Sequence, residues 1–461
     1  MTVPSSQAPS RSMWGRLDPA RLFPVAWPVY LELMSGVIAG IITVFWVGRL
    51  GASQLAAVTM ATTLENVLLG IILAVSGGTT IVLSRAAGAA DYARVRQVLR
   101  AGMLMTAAAF VVTCAVLFPL RSYVAELVLG PGDAQAGRFA VQYLAWSIPG
   151  LAVFYGQNLL DSAFKADGDT RTPMRMAMLS NGILLVLDPA LIFGWSIAPR
   201  LGVAGSAIAL VTSRAITLAV TWHLYRRSRL VRLAGEASGA PEATGEASPS
   251  REILRSGSPL AIDFVVRMTA GLLIIGVIAR FGTDEVAAYG TITRALLFLT
   301  MAAYGVRQAA TIISARAKGA DDDELLRANR ASAIRLGISW SLVSGALVLL
   351  FGGLSVDVIT QDHAVRAAAA GQVPWLAAYI ALLLGNVTLS GIFLGGGRGR
   401  VLALTTTAGA VSQVVLAPLL AWSPLGLKGA WIAMIINAGM QTAVLLYLAA
   451  QDQNAAKESA S

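Results

Sequence analysis

Cysteine is nearly absent. Cys114 is the only one in 461 residues, which excludes an internal disulfide and a cysteine-built metal centre. Histidine is almost as scarce: His223 and His363 are far apart and near predicted helix ends, a poor basis for a metal site. Charged residues make up only 13% of the chain, about half the usual share, so a soluble domain of this length is excluded. Several motifs are also missing. No P-loop is present, so the chain does not use ATP directly. No His-Glu-x-x-His helix, Gly-x-Ser-x-Gly elbow or paired catalytic Asp motif is present, so no enzyme is expected. Residues 1–20 are polar and lack the short apolar core of a signal peptide, which predicts a cytoplasmic tail.

What the chain has in quantity is apolar sequence. It is 56% hydrophobic, with a mean hydropathy of +0.68. The apolar runs predict an all-α polytopic membrane protein with about twelve spans. The first runs from about Leu22 to Val47 and contains Pro28 and Glu32; the second ends near Val82. Others centre near residues 111, 151, 184, 213, 270, 302, 345, 385, 412 and 438. The formal net charge of +10 does not point to nucleic acid, because the basic residues mark alternate loops. Arg94, Arg171, Arg227, Arg327 and Arg398 lie on one side, whereas the opposite loops hold few, such as Arg49, Arg200 and Lys428. The positive-inside rule then predicts a plasma-membrane protein with both termini cytoplasmic. The expected layout is a tail over 1–20, a six-helix bundle over 21–228, a flexible Ala/Gly/Glu/Ser/Pro-rich linker over 229–256, a second bundle over 257–450, and a tail over 451–461.

The two halves are copies. At an offset of 231, Gly51 falls on Gly282, Pro28 on Pro259, Arg49 on Arg280, Ala56-Ala57 on Ala287-Ala288, and Gly88-Ala89 on Gly319-Ala320. With small gaps Gly168 falls on Gly397, Arg171 on Arg400, Pro189 on Pro418, and Leu201-Gly202 on Leu425-Gly426. Each half has an even number of spans, so the repeat is parallel. That layout is typical of transporters that rock two bundles about a midplane site.

The most informative stretch is 168–194. A Gly168-Asp169-Thr170-Arg171-Thr172-Pro173 turn leads into an apolar run that contains Asn181 and Asp188-Pro189. A carboxylate in hydrocarbon costs roughly 2.5 kcal/mol or more, so Asp188 is expected to face a protein interior or a wet cavity. Asn181 lies on nearly the same helix face, and Pro189 weakens the helix beside the acid. A carboxylate, an amide and a helix break together suit a cation or proton site; the plainer alternative is an Asp held by a buried Arg. This stretch resembles the multidrug and toxic compound extrusion (MATE) family, its DinF-like branch best. The resemblance rests on the Gly-Asp-Thr-Arg-Thr-Pro turn, Asn181, Leu187-Asp188-Pro189, Ile192-Phe193-Gly194, the Gly51 region and the Gly88-Ala89 loop.

The resemblance implies two pseudo-symmetric six-helix bundles, a central cavity and alternating access. It implies a monomeric exporter of amphipathic organic compounds coupled to H⁺ or Na⁺, with no other cofactor. DinF-like relatives usually carry an Asp five residues before the Gly-x-x-Gly that closes the first span; that position is Thr43 here. The fifth-span Asn has also moved, with Leu184 four residues before Asp188. The candidate coupling residues are therefore Asp188, Asn181, Glu32 and Thr43. Duplication pairs Glu32 with Asp263; Asp263 has Arg267 one turn later, while Glu32 has Gly36 there and no local partner. Asp188 and Asn181 fall on Ala417 and Ala410, so the first half is the acidic one, with Glu32, Glu65, Asp161 and Asp188. The second half has Arg267, Arg294 and Arg307 in or near spans, read chiefly as counter-ions. Candidate cavity residues are Tyr155, Asn158, Asp263, Arg267, Gln308 and Asn386. Expected partners are the lipid bilayer and small molecules. A flippase for a lipid-linked or anionic amphipathic substrate is the alternative.

Overall fold

The computed structural model describes residues 22–130, 134–194, 199–237, 248–359 and 362–458. Among these the chain forms α-helices and no strand. In order they are α1 (Leu22–Val47), α2 (Ala52–Ile72), α3 (Gly78–Gly88), α4 (Tyr92–Leu129), α5 (Ala134–Asp167), α6 (Arg171–Phe193), α7 (Val203–Arg226), α8 (Arg229–Glu236), α9 (Pro249–Ile278), α10 (Thr283–Ala295), α11 (Leu297–Gly319), α12 (Asp323–Ile359), α13 (His363–Gly395), α14 (Gly399–Ala421) and α15 (Leu427–Glu458). A π-helical segment, Leu73–Gly77, joins α2 to α3, so the two make one continuous crossing. Ten helices are long and apolar enough to cross a membrane, and the bent pair α10–α11 makes an eleventh. The other long helix, α5, has 34 residues; Gln157, Asn158, Asp161 and Lys165 dilute its apolar character.

The ends of the expected linker are helical. Leu230 and Ala234 of α8 are buried beside Val95, Tyr225 and Ile253, and the Ser228 hydroxyl accepts from Val231 N at the helix start. At the other end, Ser248 and Pro249 start α9. Local apolar spacing and capping thus override the polar average, leaving 238–247 outside the described residues. The C-terminal polar segment likewise continues α15 as far as Glu458. The expected tail over 1–20 lies outside the described residues.

The duplication survives in the backbone. Gly51 and Gly282 precede equivalent helices with φ of 137° and 132°, a region closed to most L-residues. The first half packs α1 on α6, α6 on α7 and α5 on α2, α4 and α7; the second packs α9 on α14, α11 on α13, α12 on α13 and α14 on α15. Between halves, α1 and α3 lie on α11, and α9 lies on α3 and the π-helical segment.

Glycine permits these crossings, as small residues do where helices approach in a membrane. A methyl on Gly88 would meet the Arg316 carbonyl, and one on Gly319 would meet that of Arg85. Likewise Gly257 is seated against the Ala74 carbonyl, and Gly305 against the Ala26 carbonyl. Under the 231-residue offset, Arg85 corresponds to Arg316, Ala74 to Gly305 and Ala26 to Gly257. Each inter-half contact is therefore the rotated image of another. The Gly88 and Gly319 contacts lie where α3 and α11 finish, and the Gly257 and Gly305 contacts lie further along these helices, toward the starts of α9 and α1.

Ion pairs reinforce the end where α3 and α11 finish. Glu252 of α9 takes Arg85 at 3.3 Å and Arg94 at 2.9 Å, while Arg316 of α11 donates to the Ala166 carbonyl of α5 at 3.0 Å.

Candidate functional site

Asp188 sits on α6, one residue before a proline that leaves the Leu185 carbonyl without its usual helical donor. The turn before α6 has a structural task. Asp169 Oδ1 accepts from Arg171 N and Thr172 N at 3.0 Å each, and Oδ2 accepts from the Thr172 hydroxyl. This capping satisfies donors at the helix start and fixes where α6 begins, hence the depth of Asp188.

Asp188 is 0% exposed. Thr43 of α1 donates to its Oδ2 at 3.4 Å, and the buried Ser206 hydroxyl of α7 lies beside it. Its Oδ1 is buried with no hydrogen-bond partner among the described residues. No described Lys or Arg forms an ion pair with it. The reading in which a buried Arg holds Asp188 is thus overturned. Three oxygen-bearing side chains from α1, α6 and α7 converge, a hard donor set that suits a proton or a small hard cation.

Asn181 does not join them. Its amide donates to the Ser35 carbonyl at 2.9 Å and to the Ser35 hydroxyl at 2.8 Å, tying α6 to α1. Seven residues separate it from Asp188, about 10 Å along the helix, so sharing a face does not bring the two together.

Glu32 has a partner that local spacing did not reveal. Lys165 of α5 lies 2.6 Å from its Oε1, with both side chains largely buried. The contact spans 133 residues, beyond the reach of an i,i+4 argument. Asp161, one turn before Lys165, accepts from Gln157 Nε2 at 2.8 Å, and Gln157 also bonds Thr221 at 3.1 Å. The first half therefore holds a cluster in which Glu32 and Asp161 lie beside one cation, Lys165, and a separate carboxylate, Asp188, with no ion pair among the described residues.

In the second half, Asp263 is 1% exposed and held from three helices. Arg267 Nε donates to Oδ1 at 2.8 Å, Arg307 Nη1 to Oδ2 at 2.7 Å, and the Thr406 hydroxyl to Oδ1 at 2.8 Å. Arg267 Nη2 also donates to Asn386 Oδ1 at 2.6 Å. Arg267 and Arg307 are thus counter-ions of Asp263, whereas Arg294 is exposed. Thr406 was missed because a threonine in an apolar helix carries no distinguishing signal.

The other candidate residues are scattered. Tyr155 is buried, with its hydroxyl 3.3 Å from that of Thr113. Asn158 donates to the Phe154 carbonyl of its own helix at 2.9 Å. Gln308 is half-buried, and its Oε1 has no partner.

A duplicated, all-helical bundle with buried charge distributed unequally between its halves defines a multi-pass membrane transporter architecture. The chain belongs to the MATE family: the MatE family model matches residues 28–190 and 259–419, one segment in each half. It is 24% identical over 422 residues to the "Probable multidrug resistance protein NorM" of Thermotoga maritima, covering 90% of this chain and 89% of that one. It is also 24% identical over 288 residues to the "FAD transporter" of Shewanella oneidensis, covering 61% of this chain and 62% of that one. Among solved structures, it resembles the "Outward-facing conformation of a multidrug resistance MATE family transporter of the MOP superfamily". The TM-score is 0.84 at 21% identity, covering 96% of this chain and 98% of that one.

Proposed function

We propose that this protein is a secondary active exporter of amphipathic organic compounds, driven by H⁺ or Na⁺ entering at Asp188. The observation that carries this is a fully buried carboxylate that, among the described residues, has one oxygen without a hydrogen-bond partner and no ion pair, in a family whose relatives include a protein named for multidrug resistance. Its counterpart in the second half is Ala417, so coupling belongs to one bundle.

The chemistry follows from burial. An ionised Asp188 in a dry helix bundle carries a desolvation penalty. A proton removes the charge; Na⁺ offsets it with oxygen ligands from Asp188, Thr43 and Ser206. Either changes the relative stability of the conformations that expose or bury the site, which is what a population shift requires. The basic loops support an orientation with both termini, and the end where Gly88 and Gly319 meet, in the cytoplasm. On that orientation the Gly88 and Gly319 contacts close the cytoplasmic end, and alternating access would require that end to open. The unit of function is the monomer, in the bacterial inner membrane.

The test is efflux of rhodamine B, a fluorescent amphiphile with a cationic ring system and a carboxylate, from proteoliposomes under an imposed pH gradient or Na⁺ gradient, wild type against Asp188→Asn. Wild type is expected to follow one gradient and the variant neither. Normal gradient-driven efflux by the variant would remove Asp188 from the mechanism. The second reading, a lipid-linked cargo, is favoured by the Arg267–Arg307 pair; flipping of a labelled anionic lipid without dye efflux would select it.

A further inference from the structure

The cluster around Asp263 holds more positive charge and more donors than its own acceptors satisfy. Among the described residues Asp263 is the one carboxylate ion-paired to Arg267 and Arg307, so two guanidiniums share one negative charge. Arg307 is 5% exposed, yet its Nε and Nη2 have no hydrogen-bond partner, and neither does Asn386 Nδ2, in a residue 1% exposed. Tyr304 lies against Arg307, 5.5 Å from the guanidinium carbon to the ring centroid. Unsatisfied buried donors are costly, and a buried guanidinium in excess costs more. The missing complement is an acceptor with negative charge. Planar guanidiniums match carboxylate and phosphoryl oxygens two at a time. Arg267 keeps the only partial exposure within the pair, 16% of its side chain, and so forms the approach side.

We infer that Arg267, Arg307 and Asn386 form an anion subsite that takes the carboxylate or phosphoryl group of an amphipathic substrate. Resting on the exporter reading above, this names the substrate class as zwitterionic or anionic amphiphiles. Asp263 acts as the resident anion that holds the two guanidiniums in place and competes with the substrate's acidic group. The site is separate from Asp188, so the coupling ion and the acidic group load different halves.

The probe is a matched dye pair, rhodamine B, which carries a free carboxylate, and its ethyl ester, which does not. Equilibrium binding of each is measured by fluorescence anisotropy with the full-length protein in lipid nanodiscs, without any gradient. The readout is the ratio of acid to ester affinity. Arg267→Gln is expected to lower that ratio roughly tenfold or more, the scale of one charge-assisted pair. Asp263→Asn removes the resident competitor and is expected to raise it. A purely structural cluster would weaken both dyes alike in both variants and overturn the subsite, as would an unchanged ratio in variants that remain monodisperse. Arg267-dependent chloride binding with no change in the dye ratio would also overturn it, since the site would then hold an inorganic anion. Because no gradient is applied, failure of coupling leaves the result intact, whereas wild type binding neither dye overturns the exporter reading as well.

Discussion

Gly88 and Gly319 face each other across the closed end, each seated against the carbonyl of the arginine three residues before the other. Backbone touches backbone there, so neither helix can yield a side chain to make room. Gly88→Val or Gly319→Val is expected to force the halves apart at that end, at a cost of roughly 1–3 kcal/mol typical of overpacking. Replacing Cys114, the sole native cysteine, permits a spin-label pair on α3 and α11. Distances between the labels should lengthen in either variant, and an unchanged distribution would show that the contact does not hold the end closed.

Glu252 grips two arginines from the other half, Arg85 and Arg94. These side chains are partly exposed, so Glu252→Gln is expected to change overall stability by no more than about 1 kcal/mol. It should nevertheless shift the same label pair toward longer distances. High salt should mimic it in wild type by screening the pairs. A variant whose distances match wild type at all salt concentrations would exclude Glu252 as a clamp.

Glu32 and Lys165 are a buried pair, and breaking one is worse than removing both. Glu32→Gln leaves Lys165 without its ion-pair partner and with Asp161 as the remaining acid beside it, and is expected to destabilise the protein by about 1–3 kcal/mol, less than for a fully unpaired buried charge. The double variant Glu32→Gln/Lys165→Gln should recover most of that loss in thermal unfolding. Additive losses would show that the two side chains do not act as a pair.

Thr43 donates a hydrogen bond to Asp188. Thr43→Val keeps the shape and removes the hydroxyl, and is expected to slow gradient-driven efflux several-fold, on the scale of one hydrogen bond to a charged group. Thr43→Ser should restore it. Loss of efflux in the Ser variant would mean that packing, not the hydroxyl, is what Thr43 supplies.

The architecture was legible in the sequence because it is written in apolar runs and in a fixed offset. Pro28 over Pro259 and Gly51 over Gly282 required no structure to find. Asp188 was also legible, since a carboxylate inside an apolar run stands out. The partners were not. Lys165 reaches Glu32 across 133 residues, and no periodicity within one helix encodes that. Asn181 shows the opposite error: helical phase placed it on the right face, but the roughly 10 Å of rise between it and Asp188 gave it to Ser35. The helical ends of the linker were missed because its overall composition is polar, whereas Leu230 and Ala234 fold on a neighbour rather than on local propensity.

Glu32 and Asp263 descend from one position in the repeat, but their counter-ions do not. Lysine arrives at the first from α5, and arginines arrive at the second from α9 and α11. Once each carboxylate had its own cation, the two bundles ceased to be interchangeable. A change in one cluster leaves the other's ion pairs untouched, so substitutions around Asp263 need not disturb Glu32 and Lys165.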